Sequence, residues 1–324
     1  MPSTLRTHTE DGVGHIVLSR PAEYNTITPA LRTELAEAID RADADPAVRV
    51  ILLSADGPAF CAGYGLDWSV PAQAGEPSAA SSPGTDGTVS PGDAAPPDAG
   101  PPSSAAADTP APWRRWEAHP PLPQRAWDSV SDLRMMSRFV DTYMKLWYAS
   151  KPTIAAVQGW CVGGGTDMVL CADLIVAGRG AVFGYPPSRV WGTPTTAMWV
   201  YRMGLERAKR YLLTGDAIPA EEAARIGLVL EAVPDDELAE RAGALARRMA
   251  QVPVNQLVML KLLCNQTAEN MGLASSRTLG TLFDGIARHT QEGLDFVARS
   301  GAVGFRQAVR ERDDPFGDYG SRPR

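Results

Sequence analysis

Residues 161–170, "CVGGGTDMVL", set three consecutive glycines between an apolar run, "TIAAVQGW" (153–160), and a segment that reads as helix, "GTDMVLCAD" (165–173). Glycine at a helix start costs backbone entropy, so Gly163, Gly164 and Gly165 need a reason. The first N–H groups of a helix lack intrahelical acceptors and sit at the positive end of its dipole, and a missing Cβ lets a ligand oxygen come close. A dinucleotide fingerprint is excluded because no GxGxxG spacing is present. A P-loop is excluded because no Gly-Lys-Ser/Thr follows. A tight strand-to-helix connection with no ligand stays open beside the better-fitting reading, an oxyanion hole in which an amide faces a developing negative oxygen.

An oxyanion hole generally needs a second donor. "GPAFCAGYGLD" (57–67) is the candidate, since it follows the strand-like "VRVILLSADG" (48–57) and its small residues allow a tight turn. Upstream, "VGHIVLSRP" (13–21) also reads as a strand, and "TPALRTELAEAIDRADADP" (28–46) as a helix with Thr28 as N-cap and Pro29 at the first helical position. After the glycines, "LIVAGRGAVFG" (174–184) reads as a further strand region. "DSVSDLRMMSRFVDTYMKLWYASKP" (128–152), three segments between 196 and 253, and nearly all of the chain from Val254 read as helix. Strands alternating with helices, then a helix-rich end, predict an α/β core with a helical extension. From Val70 to Pro112 the chain is mostly Pro, Gly, Ala, Ser and Asp, too poor in apolar area to offset ordering entropy. It is expected to be a disordered insertion, with the Trp-rich "WRRWEAHPPLPQRAW" at its end.

Composition narrows the function classes. The 324 residues allow a sizeable core, the hydrophobic share of 44% is that of a globular protein, and a net charge of −7 argues against nucleic acid or an anionic membrane as main partner. No apolar run is long enough to span a bilayer and the first residues lack a signal-peptide core, so a cytoplasmic protein is expected. The cysteines, Cys61, Cys161, Cys171 and Cys264, form no CxxC. The histidines, His8, His15, His119 and His289, are not near one another in sequence, so metal chemistry has little support and no metal is expected.

In combination these segments resemble the crotonase, or enoyl-CoA hydratase/isomerase, superfamily. The resemblance is carried in order by "IVLSRPAEYNTITPAL", "DPAVRVILLSADGPAFCAGYGLD", "KPTIAAVQGWCVGGGTDMVLCADLIVAG", "AVFGYPP", "GLERAKRYLLTGDAIPAEEAARIGLVLEAVP" and "TQEGLDFVARSGAVGFR". It implies an α/β fold, a spiral of ββα repeats over 1–69 and 129–253 interrupted by the 70–128 insertion. A helical region at 254–324 would mediate a homotrimer or a dimer of trimers. It also implies an acyl-CoA substrate, with coenzyme A entering as part of that substrate and no permanently bound cofactor. The oxyanion amides would be those of Tyr64 and Gly164, with Ala62 and Gly63 along the pantetheine and Phe296 and Arg299 at the adenine nucleotide.

The family's two glutamates fall on Asp167 and Pro187, so the second carboxylate is missing. Since a positioned acid or base contributes roughly 10²–10⁴-fold, ordinary two-carboxylate hydration is disfavoured. Single-carboxylate enolate chemistry, with Asp167 as acid or base, is expected instead. Asp167 as a mere complement to the helix dipole stays open. So do a non-catalytic acyl-CoA-binding scaffold and a CoA-independent β-diketone hydrolase. Further pocket candidates are Asp67, Tyr185, Arg189, Trp191 and Thr195, with packing roles open for Tyr185 and Trp191 and a surface or interface charge for Arg189.

Overall fold

A computed structural model describes residues 3–65 and 129–319. Its strands are β1 (Leu5–Glu10), β2 (Val13–Leu18), β3 (Val50–Ala55), β4 (Ala59–Cys61), β5 (Thr153–Val157), β6 (Trp160–Val162), β7 (Leu174–Gly178), β8 (Val182–Gly184), β9 (Ile218–Pro219) and β10 (Glu231–Val233). Its helices are α1 (Pro29–Ala44), α2 (Ser129–Tyr148), α3 (Gly164–Val169), α4 (Met198–Met203), α5 (Leu205–Leu212) and α6 (Ala220–Arg225). They continue with α7 (Leu238–Met249), α8 (Val254–Asn270), α9 (Leu273–Arg288), α10 (Gln291–Val303) and α11 (Phe305–Asp313). The insertion expected at 70–128, including its tryptophans, and Asp67 lie outside the described residues.

Two sheets share the strands in a repeating way. One runs β1-β2-β3-β5-β7-β10 and the other β4-β6-β8-β9. Each successive strand pair, β3/β4, β5/β6 and β7/β8, therefore gives its first member to the large sheet and its second to the small one. Apart from the β1–β2 and β8–β9 pairs, which are antiparallel, neighbours are parallel. Parallel strands need both faces covered, and the side chains alternate accordingly. Val50, Leu52, Ile154, Ala156 and Val176 pack with Leu238, Ala242 and Ala246 of α7, while Ile51, Leu53, Ala155 and Val157 join the main core with Leu31, Leu35 and Ile39 of α1. This is the α/β spiral that the sequence predicts.

Local signals explain the boundaries. Thr28 caps α1, its Oγ1 accepting from Leu31 N at 3.1 Å, and Pro29 stands at N1. The stretch read as one strand, 153–160, is two, because the chain turns at Gly159 (φ 55°), where a Cβ would lie 1.9 Å from the Pro58 carbonyl oxygen. β1 carried no apolar alternation, since five of its six residues are exposed on the sheet edge.

Candidate active site

The glycine turn lies against the 61–65 loop. A Cβ on Gly165 would meet the Cys61 carbonyl oxygen at 2.4 Å, and one on Gly164 would meet Tyr64 Cε2 at 2.7 Å and Ile27 Cδ1 at 2.8 Å. From the opposite side, a Cβ on Gly63 would sit 3.2 Å from Val162 O and 3.8 Å from Gly164 N. Gly163 itself has φ 55°, and its N–H donates to Gly184 O at 3.0 Å. So one glycine is required by backbone conformation and two by close approach. The segments bearing the two candidate oxyanion amides, Tyr64 and Gly164, are neighbours. Gly164 is the first residue of α3, where no intrahelical acceptor exists for its N–H. With only six residues α3 carries little dipole, so any oxyanion stabilisation rests on the amides themselves.

Asp167 is the only carboxylate on α3 and is fully buried. Its Oδ2 accepts from Thr195 Oγ1 at 2.9 Å and Thr195 N at 3.2 Å, with the Tyr185 hydroxyl 3.5 Å away; its Oδ1 accepts from Thr196 Oγ1 at 3.3 Å, and the Thr196 backbone also hydrogen-bonds the carboxyl. Burial pushes the carboxyl up to about 7, with the Thr195 and Thr196 hydrogen bonds working against that rise and the charge of Asp284 adding to it. A carboxyl poised there exchanges a proton at neutral pH.

The chain from Tyr185 to Ala197 forms the other wall. Tyr185 donates to Thr193 O at 2.7 Å, Thr193 Oγ1 donates to Gly280 O at 3.0 Å, and Thr281 Oγ1 donates to Thr195 O at 3.2 Å. Gly280 approaches so closely that a Cβ there would lie 2.5 Å from Pro194 O. The loop holding Asp167 is thus buttressed by α9, which also brings the buried ion cluster of Asp284, Arg288 and Asp132, with Arg288 Nη2 2.6 Å from Asp132. These three residues, and Tyr143, whose hydroxyl lies 3.4 Å from that of Tyr64, were not found from the sequence. The available signal was Asp284 and Arg288 four apart on one helix face.

The other expected residues make contacts of their own. Pro187 packs 3.5 Å from where a Gly163 Cβ would be, so the position of the missing carboxylate does border the glycine turn. Arg189 turns away: its side chain, 2% exposed, pairs with Asp313 at 2.9 Å and Asp318 at 2.7 Å and stacks on Phe316. Trp191 packs on Phe296, ring centroids 4.9 Å apart, and Phe296 packs in turn on Phe305. Arg299 pairs with Glu311 on the surface, and Ala62 N donates to Tyr24 O. Cys61, Cys161 and Cys171 are buried free thiols and Cys264 is exposed. Among the described residues no helix is long and apolar enough to cross a membrane.

Known proteins share this arrangement. The family model for enoyl-CoA hydratase/isomerase matches residues 8–84 and 129–305. EchA13 of Mycobacterium tuberculosis is 32% identical over 275 residues, covering 82% of this chain and 74% of that protein. The 1,2-epoxyphenylacetyl-CoA isomerase of Escherichia coli is 27% identical over 275 residues, covering 83% and 85%. A crystal structure of an enoyl-CoA hydratase from Mycobacterium smegmatis superposes with TM-score 0.79 at 40% identity, over 98% of this chain and 96% of that one. With most of its length matched, its strands dealt alternately to two sheets and its glycine turn closed on the 61–65 loop, the chain belongs to the enoyl-CoA hydratase/isomerase (crotonase) family.

Proposed function

We infer that the protein acts on an acyl-CoA thioester through an enolate, with Asp167 as its single acid/base. The observation that carries this reading is the meeting of the 61–65 loop with the glycine turn, one helical turn from a buried carboxyl whose proton is held near neutrality. A thioester α-proton is only weakly acidic, and each amide directed at the enolate oxygen is worth about 2.7–4 kcal/mol in typical cases. The Tyr64 and Gly164 N–H groups take that role, Ala62 and Gly63 run beside the pantetheine, and the Asp167 carboxyl takes up or returns the proton. With Pro187 where a second carboxylate would activate water, a double-bond shift, an elimination or a bond cleavage fits better than hydration.

Mass spectrometry tests this reading on a panel of enoyl-, dienoyl- and 3-oxoacyl-CoAs incubated with the protein in D₂O. Deuterium at Cα or Cγ of a thioester supports it. A panel left wholly unlabelled overturns it.

The helical end supports a homotrimer or a dimer of trimers. Met259, Leu262 and Leu263 on α8 and Leu279, Phe283 and Ile286 on α9 are large apolar side chains exposed in the single chain, the kind of surface that marks an interface when it is contiguous. Light scattering should report a multiple of the chain mass, and Leu263→Glu should lower it.

A further inference from the structure

The geometry points to a binding site for one borderline divalent transition-metal ion (the Zn²⁺, Ni²⁺, Co²⁺ class) on the N-terminal hairpin, made by His8, Glu10 and His15. Asp11 and Gly12 join β1 to β2 with φ 49° and 78°, the left-handed pair of a two-residue I′ turn. That turn fixes the register, Glu10 opposite Val13 and His8 opposite His15. Because side chains alternate, His8 and Glu10 share one face of β1, and the partner of His8 shares it too. Residues seven apart in sequence are therefore adjacent in space.

The imidazoles of His8 and His15 stack with centroids 4.3 Å apart and planes 7° from parallel. One ligand atom from each of the three side chains lies within 4.8 Å of the others. A tetrahedron with bonds of about 2.1 Å has edges of roughly 3.4 Å, so no pair of ligand atoms has to close by more than about 1.4 Å. His8 and Glu10 are exposed and free to do so, while His15 is half-buried and stays as the anchor. Two imidazoles and one carboxylate favour such ions over Mg²⁺ or Ca²⁺, which prefer oxygen alone.

The surrounding charge tolerates a cation. Glu10 and Asp11 line the same hollow as Arg247, and Arg247 is itself paired with Glu240 at 2.7 Å; on the other side Arg41 is paired with Glu37 at 3.4 Å. His8 and Glu10 stand on β1, the edge strand of the large sheet, and not on the element that carries Asp167. The ion would tie β1 to β2 at an otherwise open edge.

Isothermal titration of the full chain with ZnCl₂ and with NiCl₂, in a Cys264→Ser background so that the exposed thiol does not compete, tests the site. We expect saturable one-to-one uptake, weakened about tenfold or more by His8→Gln or His15→Ala and less by Glu10→Gln. Each variant's melting temperature without metal, unchanged for the exposed His8→Gln, separates lost ligation from lost folding. Uptake unaffected by His8→Gln and His15→Ala, or no saturable uptake at all, would overturn the proposal.

Discussion

The turns after β6 and after β8 are built alike and loaded differently. Both leave the small sheet through glycine, at Gly163 and Gly184, and both enter a short helical turn, α3 in one case and the 3₁₀ turn Pro186–Arg189 in the other. The first delivers Asp167 inward, fully buried and hydrogen-bonded to Thr195 and Thr196. The second sets Pro187 against Gly163 and sends Arg189 outward to Asp313 and Asp318. Of these two turns, one carries a carboxylate and the other a proline.

The largest way to break that asymmetry is to remove its charged side. Asp167 carries a folded-state carboxyl near 7, well above an exposed aspartate. The folded chain therefore holds a proton that the unfolded chain has lost between about pH 4 and 7, and stability falls as pH rises through that window. The stability present at low pH is lost above 7, by up to ~4 kcal/mol if burial is unrelieved. Asp167→Asn removes this dependence. In urea unfolding at pH 8 the variant should be the more stable protein, and at pH 4 the two should be close; equal stability at pH 8 would show that Asp167 is not desolvated.

Gly165→Ala comes next. Its Cβ meets backbone, the Cys61 carbonyl oxygen, which cannot rotate away, so the 61–65 loop and the glycine turn must separate. A loss of roughly 1–3 kcal/mol by denaturant unfolding is expected. Gly164→Ala meets the Tyr64 and Ile27 side chains instead and should destabilise less. Thr195→Val deletes the shortest bond to Asp167, at about 1 kcal/mol. It should also raise the Asp167 carboxyl further, moving the acid limb of a pH–rate profile to higher pH. Pro187→Glu sharpens the comparison from the other side: a second carboxylate beside the first should shift that limb in the same direction through like-charge repulsion.

The sequence made the first turn legible and left the second wall dark. Gly163 to Gly165 announced a close approach because no other residue tolerates it, and Thr28-Pro29 announced α1 because capping is local chemistry. Asp284, Arg288 and Asp132 gave no such notice. They come from helices far apart in sequence, and what makes them part of the site is a tertiary fact, the packing of α9 against the 193–196 loop through Gly280 and Thr281. The His8–His15 pair was hidden because β1, five of whose six residues are exposed, shows no apolar alternation, so the hairpin that sets His8 opposite His15 gave no signal. Arg189 was misleading in the opposite sense: it sits in the right loop, but its guanidinium is committed to the C-terminal carboxylates.

The most direct test of the account follows solvent deuterium into the acyl group of whichever thioester the wild-type protein labels, with Asp167→Asn compared under identical conditions. Labelling that falls by at least about a hundredfold in the variant, with the thioester still raising its melting temperature, is the predicted result. Undiminished labelling by Asp167→Asn would contradict the assignment of Asp167 as the single acid/base.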